Sequence, residues 1–271
     1  MSDKNQNGIN INVDALPEST KEALLTPSAV PLGKAIGGII SFSLSPLIKL
    51  QILTEAKLAA YEDKVQQKFT AIPEENRDSE KIGLVLKTME DSRYQLDNEL
   101  LQEFFANLLA QTVDDRHNHD IHPSFSAILR DLSPQDAELL TFLSAGGALP
   151  LIQVHTTAGS NNTTVILEEN ILCLPNEKVF TTEFGLSISS LERLGLIKID
   201  TTKSVALLSE DVYATFENTE FFQKIMDRFP YEQKISGEIV NFKKPHTKKG
   251  RIVTTALGTK LLYTVIPSTT I

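Results

Sequence analysis

Apolar residues recur at helical spacing through most of the first half of the chain. A helix over residues 50–69 is predicted, because one of its faces carries Leu50, Thr54, Leu58, Tyr61, Val65 and Phe69. The segment "LDNELLQEFFANLLAQTV" predicts another helix, with Asp97 as its N-cap. The segment "SPQDAELLTFLSAGG" predicts a helix that begins with a capping box of Ser133 and Asp136 and ends at its glycine pair.

The pattern changes at Pro150, where short segments rich in β-branched residues begin. The segments "PLIQVHTT" and "TTVILEE" predict strands, and "TTEFGLSISSLERLGLIKI" predicts a helix, a stop at Gly195 and a strand. Two further strands, "KISGEIVNF" and "GRIVTTA", bracket the basic turn "KKPHTKKG", and "TALGTKLLYTVI" predicts a closing helix. Helices followed by a basic hairpin and a closing helix resemble a winged-helix module.

These patterns predict an α+β protein that is mainly α-helical. We expect a flexible polar tail over residues 1–28, a helical domain over 29–148 and a winged-helix-like α/β domain over 149–271. A chain of 271 residues is long enough for two domains of ordinary size.

An uncharged segment lies near the start of the helical domain. The 14 residues between Lys34 and Lys49 carry no charge, whereas a membrane-spanning helix needs about 20 apolar residues. A ridge of small side chains at every fourth position would let a second helix approach closely; it consists of Gly33, Gly37, Ser41 and Ser45. We expect a buried helix packed against the one that carries Leu58 and Tyr61, and membrane contact after activation is the alternative.

Composition favours a cytoplasmic protein. The net charge of −9 is carried entirely by residues 1–145, so a surface for an anionic partner is expected in the neutral second half. The single cysteine, Cys173, allows no intrachain disulfide and lies in an apolar run, which indicates a buried thiol in a reducing compartment. The N-terminal residues lack the pattern of a signal peptide.

A histidine-rich stretch, "DDRHNHDIHPSF", raises the question of a metal site. Its ligand-type side chains include His117, His119 and His122. A metal site needs three or four ligands that converge on one point, and contiguous loop residues fan outward instead. We therefore expect no metal, and we expect a solvated loop with His122 near the start of the next helix.

The basic turn is the candidate surface for nucleic acid. It contains Lys243, Lys244, Lys248, Lys249 and Arg251. Such a turn could contact phosphates as the wing of a winged helix does. The preceding helix, "GLSISSLERLG", offers a single cation, Arg193, beside Glu192, which is a poor supply for reading bases. Nucleic acid is therefore an unfavoured partner.

Catalytic motifs are missing from the sequence. There is no nucleophile elbow "GxSxG", no phosphate-binding loop "GxxxxGK[ST]" and no dinucleotide fingerprint "GxGxxG". We expect a protein that is not an enzyme and that needs no cofactor.

An ordered set of motifs is similar to the Abi-alpha, or abortive infection alpha, family of bacterial proteins. The motifs are "IPEEN", "LLQEFFANLLAQTVDD", "HPSFSAILRDLSPQDAELL", "LERLGLI" and "VTTALGTKL". The resemblance implies a helical N-terminal region and a role in bacterial antiphage defence, and it supplies no active site. It also places the segment from His122 to Phe125 as the loop that enters a helix, which favours a structural His122.

The sequence thus favours a non-enzymatic defence protein of abortive-infection type that acts through protein or membrane contacts. Its partner, which could be a second copy of the chain, is not identified by any motif. The alternative is a winged-helix DNA-binding regulator that uses the basic hairpin 243–251. A metal-dependent hydrolase that uses the histidine loop ranks third.

Overall fold

The chain divides into two compact units, and the division along the sequence falls after Asp131. The computed structural model describes residues 55–78, 80–146, 148–174, 179–201 and 210–266. These residues contain nine α-helices and seven β-strands. The sequence pattern placed the boundary after residue 148, because it grouped all early helices together. In the structure the helix that follows Asp131 contacts a helix and a strand of the second unit.

Four helices make up the described part of the first unit. They are α1 (Glu55–Thr70), α2 (Ile82–Ser92), α3 (Glu99–Val113) and α4 (Phe125–Asp131). Helix α3 lies at the centre and contacts the other three. Its phenylalanines are almost fully buried, as the apolar spacing predicted; they are Phe104 and Phe105. Two short 3-10 helices precede α2 and α4, at Glu74–Asn76 and Asn118–Asp120.

The predicted apolar face of α1 is confirmed from Leu58 onward. Its buried residues are Leu58, Tyr61, Val65 and Phe69. The predicted N-cap of α3 is wrong by one residue. The cap is Asn98, whose side chain accepts a hydrogen bond from the N–H of Leu101 at 3.0 Å, and Asp97 instead forms an ion pair with Lys57. Aspartate and asparagine can both cap a helix, so the sequence did not show at which of the two adjacent residues the helix begins.

The second unit contains five helices and one seven-stranded antiparallel sheet. The helices are α5 (Pro134–Gly146), α6 (Gly185–Arg193), α7 (Glu210–Glu217), α8 (Glu220–Met226) and α9 (Ala256–Val265). The strands are β1 (Ala148–Ala158), β2 (Thr163–Leu174), β3 (Val179–Thr181), β4 (Ile197–Asp200), β5 (Tyr231–Ile235), β6 (Glu238–Phe242) and β7 (His246–Thr254). The fold is therefore a mixed α/β structure with a larger sheet than the sequence indicated.

Strand β1 is the centre of the sheet. It pairs with β2 on one edge, and on its other edge with β7 and, beyond a bend, with β6. Strand β3 lies outside β2, β4 lies outside β7 and β5 lies outside β6. Among the described strands, β3, β4 and β5 are thus the edges.

Local signals in this unit behave as the sequence predicted. The Ser133 hydroxyl accepts a hydrogen bond from the N–H of Asp136 at 3.1 Å, and the Asp136 carboxylate accepts one from the N–H of Ser133 at 2.9 Å. Gly195 adopts a φ of +73° between α6 and β4, a conformation that favours glycine. The lone Cys173 is buried in β2.

The predicted basic hairpin is wrong. The tight turn lies at Ser236–Gly237, where both residues have positive φ, and it joins β5 to β6. The sequence concealed this turn because "KISGEIVNF" alternates like one continuous strand. Lys248 and Lys249 lie inside β7 and pair with Gln153 and Ile152 of β1. Residues 243–245 connect β6 to β7, and both of these strands pair with the same edge of β1.

One face of the sheet is covered by α7 and α8. The core between them consists of Ile152, Val154, Ile171, Tyr213, Phe216 and Phe222. In the part of the chain that the structure describes, no helix has the length and apolar character needed to cross a membrane.

Candidate functional site

The histidine stretch forms a loop that enters α4. The Nδ1 atom of His122 lies 2.6 Å from the Ser124 hydroxyl and accepts a hydrogen bond from the N–H of Ser124 at 3.2 Å. His117 and His119 are exposed, and His119 lies 3.6 Å from the carboxylate of Asp120. Across the described ranges no group of three His, Cys, Asp or Glu side chains could hold a metal ion. The expectation of a metal-free loop stays a prediction.

The same loop contains a buried polar cluster that the sequence did not reveal. Asp114 is almost fully buried and accepts two hydrogen bonds from the guanidinium of Arg116, at 2.8 and 2.6 Å. These bonds lower the pKa of Asp114, against the opposing effect of burial. The amide of Asn118 donates to Asp78 at 2.6 Å, so the loop after α3 is tied to the segment before α2. These hydrogen bonds hold the two loops together.

The predicted basic residues do not form one free surface. The Nζ of Lys249 lies over the ring of Tyr213, and Arg251 binds Asp200 with two hydrogen bonds of 3.0 and 2.9 Å. The Nζ of Lys243 donates to the side chain of Asn162 at 2.6 Å. All four lysines are nevertheless exposed, and Arg251 is half-buried.

The small-residue ridge of the uncharged segment lies outside the described residues. Its predicted packing and its predicted membrane contact therefore stay predictions. The positions concerned are Gly33, Gly37, Ser41 and Ser45.

A groove lies beside the edge strand β3. Its volume is about 400 Å³, and its lining consists of Ile171, Phe180, Thr181, Thr182, Glu183, Thr219 and Phe221. A volume of this size falls in the range of ligand-binding clefts, about 300–1,000 Å³. Two phenylalanines on its walls are held by the buried ring of Phe216, with centroid distances of 5.1 Å to Phe180 and 6.2 Å to Phe221.

The groove combines an apolar floor with a polar rim. Phe221 is 43% exposed, although it neighbours the buried Phe222 on the first turn of α8. The carboxylate of Glu183 is exposed and forms no ion pair within the described part of the chain. An apolar side chain in the groove, next to a positive charge at Glu183, would complement both features. The sequence offered one weak signal for this site, the "FF" pair, and could not indicate which ring is exposed.

A family model described as "abortive infection alpha" matches residues 53–265. The chain belongs to this family. No curated protein and no solved structure matches the chain. The resemblance seen in the ordered sequence motifs is thereby confirmed.

The match to the abortive infection alpha family runs from α1 to α9 and includes elements of both units. The groove residues fall within it, as do the histidine loop and strand β7. The family description names abortive infection and assigns no residue to it, so the choice of site depends on geometry.

Proposed function

We propose that the chain acts in abortive-infection defence against phage, as a non-enzymatic protein that works through contact with a protein partner. The observation that carries this proposal is the family match over residues 53–265. Abortive infection couples the detection of a phage product to an effect on the host cell, and a binding site for protein is sufficient for such detection.

The groove beside β3 is the proposed contact site. We propose that it accepts a protein segment with a large apolar side chain followed by lysine or arginine. The half-exposed Phe221 and the wall formed by Phe180 offer the apolar surface, and Glu183 offers the unpaired charge. Because β3 is an edge strand, its backbone can also pair with an extended segment, the mode by which many peptides are recognised.

Several elements of the second unit support a winged-helix-like scaffold. Helix α6 is followed by β4, which pairs with β7, and β7 leads into α9. The exposed face of α6 carries Leu186, Ser189, Glu192 and Arg193, and Leu186 is 82% exposed. One cation beside one anion on this face does not suit a phosphate backbone. We therefore propose the scaffold as a platform for protein contact, with DNA binding as the unfavoured alternative.

Phage challenge of cells tests the proposal. We expect cells that express the chain to restrict phage, and Thr182→Trp to abolish the restriction, because its ring would fill the groove. Glu183→Lys should weaken the restriction by removing the charge that the partner meets. Ile166→Trp is the matched control, since Ile166 is 50% exposed on β2 and does not line the groove. Thermal unfolding of each purified variant checks that the fold is kept.

Each outcome decides one part of the proposal. A wild-type chain that gives no restriction contradicts the defence role. Restriction that survives Thr182→Trp contradicts the groove and leaves the defence role standing. Fractionation of cells before and during infection tests the alternative, a triggered membrane contact through the segment 33–48, because only a shift into the membrane fraction during infection supports it.

A further inference from the structure

Strand β5 presents one free edge to its surroundings. It pairs with β6 alone among the described strands, and all five of its residues are exposed. Two of them are large and apolar: Tyr231 is 36% exposed and Ile235 is 44% exposed. An exposed edge strand with apolar residues is a template for pairing with another strand, and proteins usually block such edges unless they use them.

The turn determines which backbone groups face the free edge. In a hairpin with a two-residue turn, the residues that flank the turn form a hydrogen-bonded pair, and such pairs then alternate along the strands. Ile235, Gln233 and Tyr231 therefore bond to β6. The N–H and C=O groups of Glu232 and Lys234 point to the free edge and are available to a further strand.

The sequence of β5 is complementary to itself in the antiparallel direction. When "YEQKI" is placed against a second copy with Gln233 opposite Gln233, each Glu232 lies opposite a Lys234, and each Tyr231 lies opposite an Ile235. Each pair of Glu232 and Lys234 therefore has opposite charges, and the backbone N–H and C=O groups of the two residues also face each other. Neither Glu232 nor Lys234 has an ion pair within the described part of the chain.

We propose that β5 pairs with β5 of a second copy, forming a homodimer whose two-fold axis passes through Gln233. The contact contains four backbone hydrogen bonds and two Glu232–Lys234 ion pairs across the strands. It joins the two sheets into one, because β5 ends the strand order β3-β2-β1-β6-β5. An isologous contact of this kind closes on itself and does not propagate into a fibre. The inference does not depend on the proposed defence function.

The side chains beside β5 extend the complementarity on both faces. On one face the ring of Tyr231 stacks on Phe242 with a centroid distance of 4.6 Å and an interplanar angle of 9°, and Ile235 of the second copy would continue this apolar row. On the other face Ile239 of β6 is 67% exposed and lies opposite Lys234, whose alkyl chain it can contact. The dimer contact would therefore cover apolar side chains that a monomer leaves exposed.

A charge exchange at the two positions tests the register. Analytical ultracentrifugation of the wild-type chain at about 1–100 µM should show a monomer–dimer equilibrium. Lys234→Glu and Glu232→Lys, each alone, place like charges opposite each other and should raise the dissociation constant about tenfold or more. The double variant restores opposite charges and should dimerise like the wild type. The two single variants should each dimerise more weakly alone and should form a heterodimer when mixed.

Lys198→Glu is the matched control, because Lys198 is an exposed lysine on another edge strand, β4. It should leave dimerisation unchanged. A wild-type chain that stays monomeric over the whole concentration range overturns the proposal. A dimer that is insensitive to both single variants also overturns it. The same holds for a dimer that is lost in the single variants and is not recovered in the double variant or in the mixture.

A cross-link tests the two-fold axis. Facing residues of a pair without hydrogen bonds have Cα atoms about 4.5 Å apart, which is within the range of a disulfide. Gln233→Cys should therefore give a disulfide-linked dimer on mild oxidation, and the native Cys173 should not interfere because it is buried. Lys198→Cys is the control and should remain unlinked. Equal cross-linking of both variants would contradict the proposed axis.

Discussion

The ammonium group of Lys249 lies over the ring of Tyr213, 5.4 Å from the ring centroid. The Tyr213 hydroxyl donates a hydrogen bond to the carbonyl of Gly250 at 2.8 Å, and burial raises the pKa of this tyrosine to about 12. Tyr213 therefore stays protonated at neutral pH and keeps α7 against β7. Lys249, a candidate phosphate contact in the sequence, thus also lies at the contact between a helix and the sheet.

We expect weak, salt-sensitive and sequence-indifferent DNA binding at most. Of the basic residues on β7 and the segment before it, all four lysines are exposed, whereas Arg251 is bound to Asp200. The net charge of −9 repels a phosphate backbone, so affinity should be low at physiological salt. Titration with two unrelated duplexes measures this. Tight binding that prefers one duplex and disappears in the variant Lys248→Glu plus Lys249→Glu would favour the regulator hypothesis.

Asp114 should stabilise the first unit in a pH-dependent manner. Asp114→Asn removes the charge that Arg116 binds, and it should lower the free energy of unfolding by about 1 kcal/mol at neutral pH, because solvent screens the half-exposed Arg116. The folded pKa lies below the ordinary value of 3.8, so this stabilisation is present above that pH and is lost as the pH falls toward the folded pKa.

Urea unfolding at neutral pH and at a pH well below the ordinary aspartate pKa measures the effect on Asp114. The difference between wild type and Asp114→Asn should shrink in acid. Asp63→Asn, at an exposed position of α1, serves as the control and should change little at either pH. A difference that is independent of pH would show that the carboxylate charge is not what Arg116 stabilises.

His122 should have a structural role without a metal. Its ring accepts a hydrogen bond from the N–H of Ser124 at the start of α4, as an N-cap side chain does, so His122→Ala should cost about 1 kcal/mol. His119→Ala should be neutral, because that side chain is exposed. Elemental analysis of the purified protein should find no stoichiometric zinc. Zinc that is bound at one equivalent and lost in His117→Ala plus His119→Ala would contradict this reading.

Gly258 should tolerate no side chain. A Cβ atom at this position would lie 1.9 Å from the carbonyl oxygen of Leu196, which also accepts a hydrogen bond from the N–H of Thr255. Gly258→Ala must push α9 away from that backbone and should cost about 3 kcal/mol or more. Gly83→Ala is the control, since a Cβ there meets nothing within 4 Å and should stabilise α2 by about 0.5–1 kcal/mol.

Thermal and denaturant unfolding of these two glycine variants should therefore move in opposite directions. If Gly258→Ala unfolds like the wild type, then α9 does not approach Leu196 as closely as described.

The features that the sequence determined are those set by neighbours within about one helical turn or one strand. The buried face of α1 follows from the spacing of Leu58, Tyr61 and Val65, and the start of α5 follows from the capping box of Ser133 and Asp136. The stop at Gly195 follows from its positive φ. In each case the physical cause acts between residues that are close along the chain, so the sequence pattern contains it.

The features that only the tertiary structure decided depend on residues far apart in sequence. Phe221 is half exposed and Phe222 is buried because α8 packs on the sheet in one orientation, and two adjacent phenylalanines carry no signal for that choice. Lys249 contacts Tyr213, and Arg251 binds Asp200, because β7 runs between β1 and β4 and not out to a hairpin tip. Strand pairing brings these residues together across long stretches of chain. It therefore decides which basic side chains acquire a contact partner, and local propensity does not.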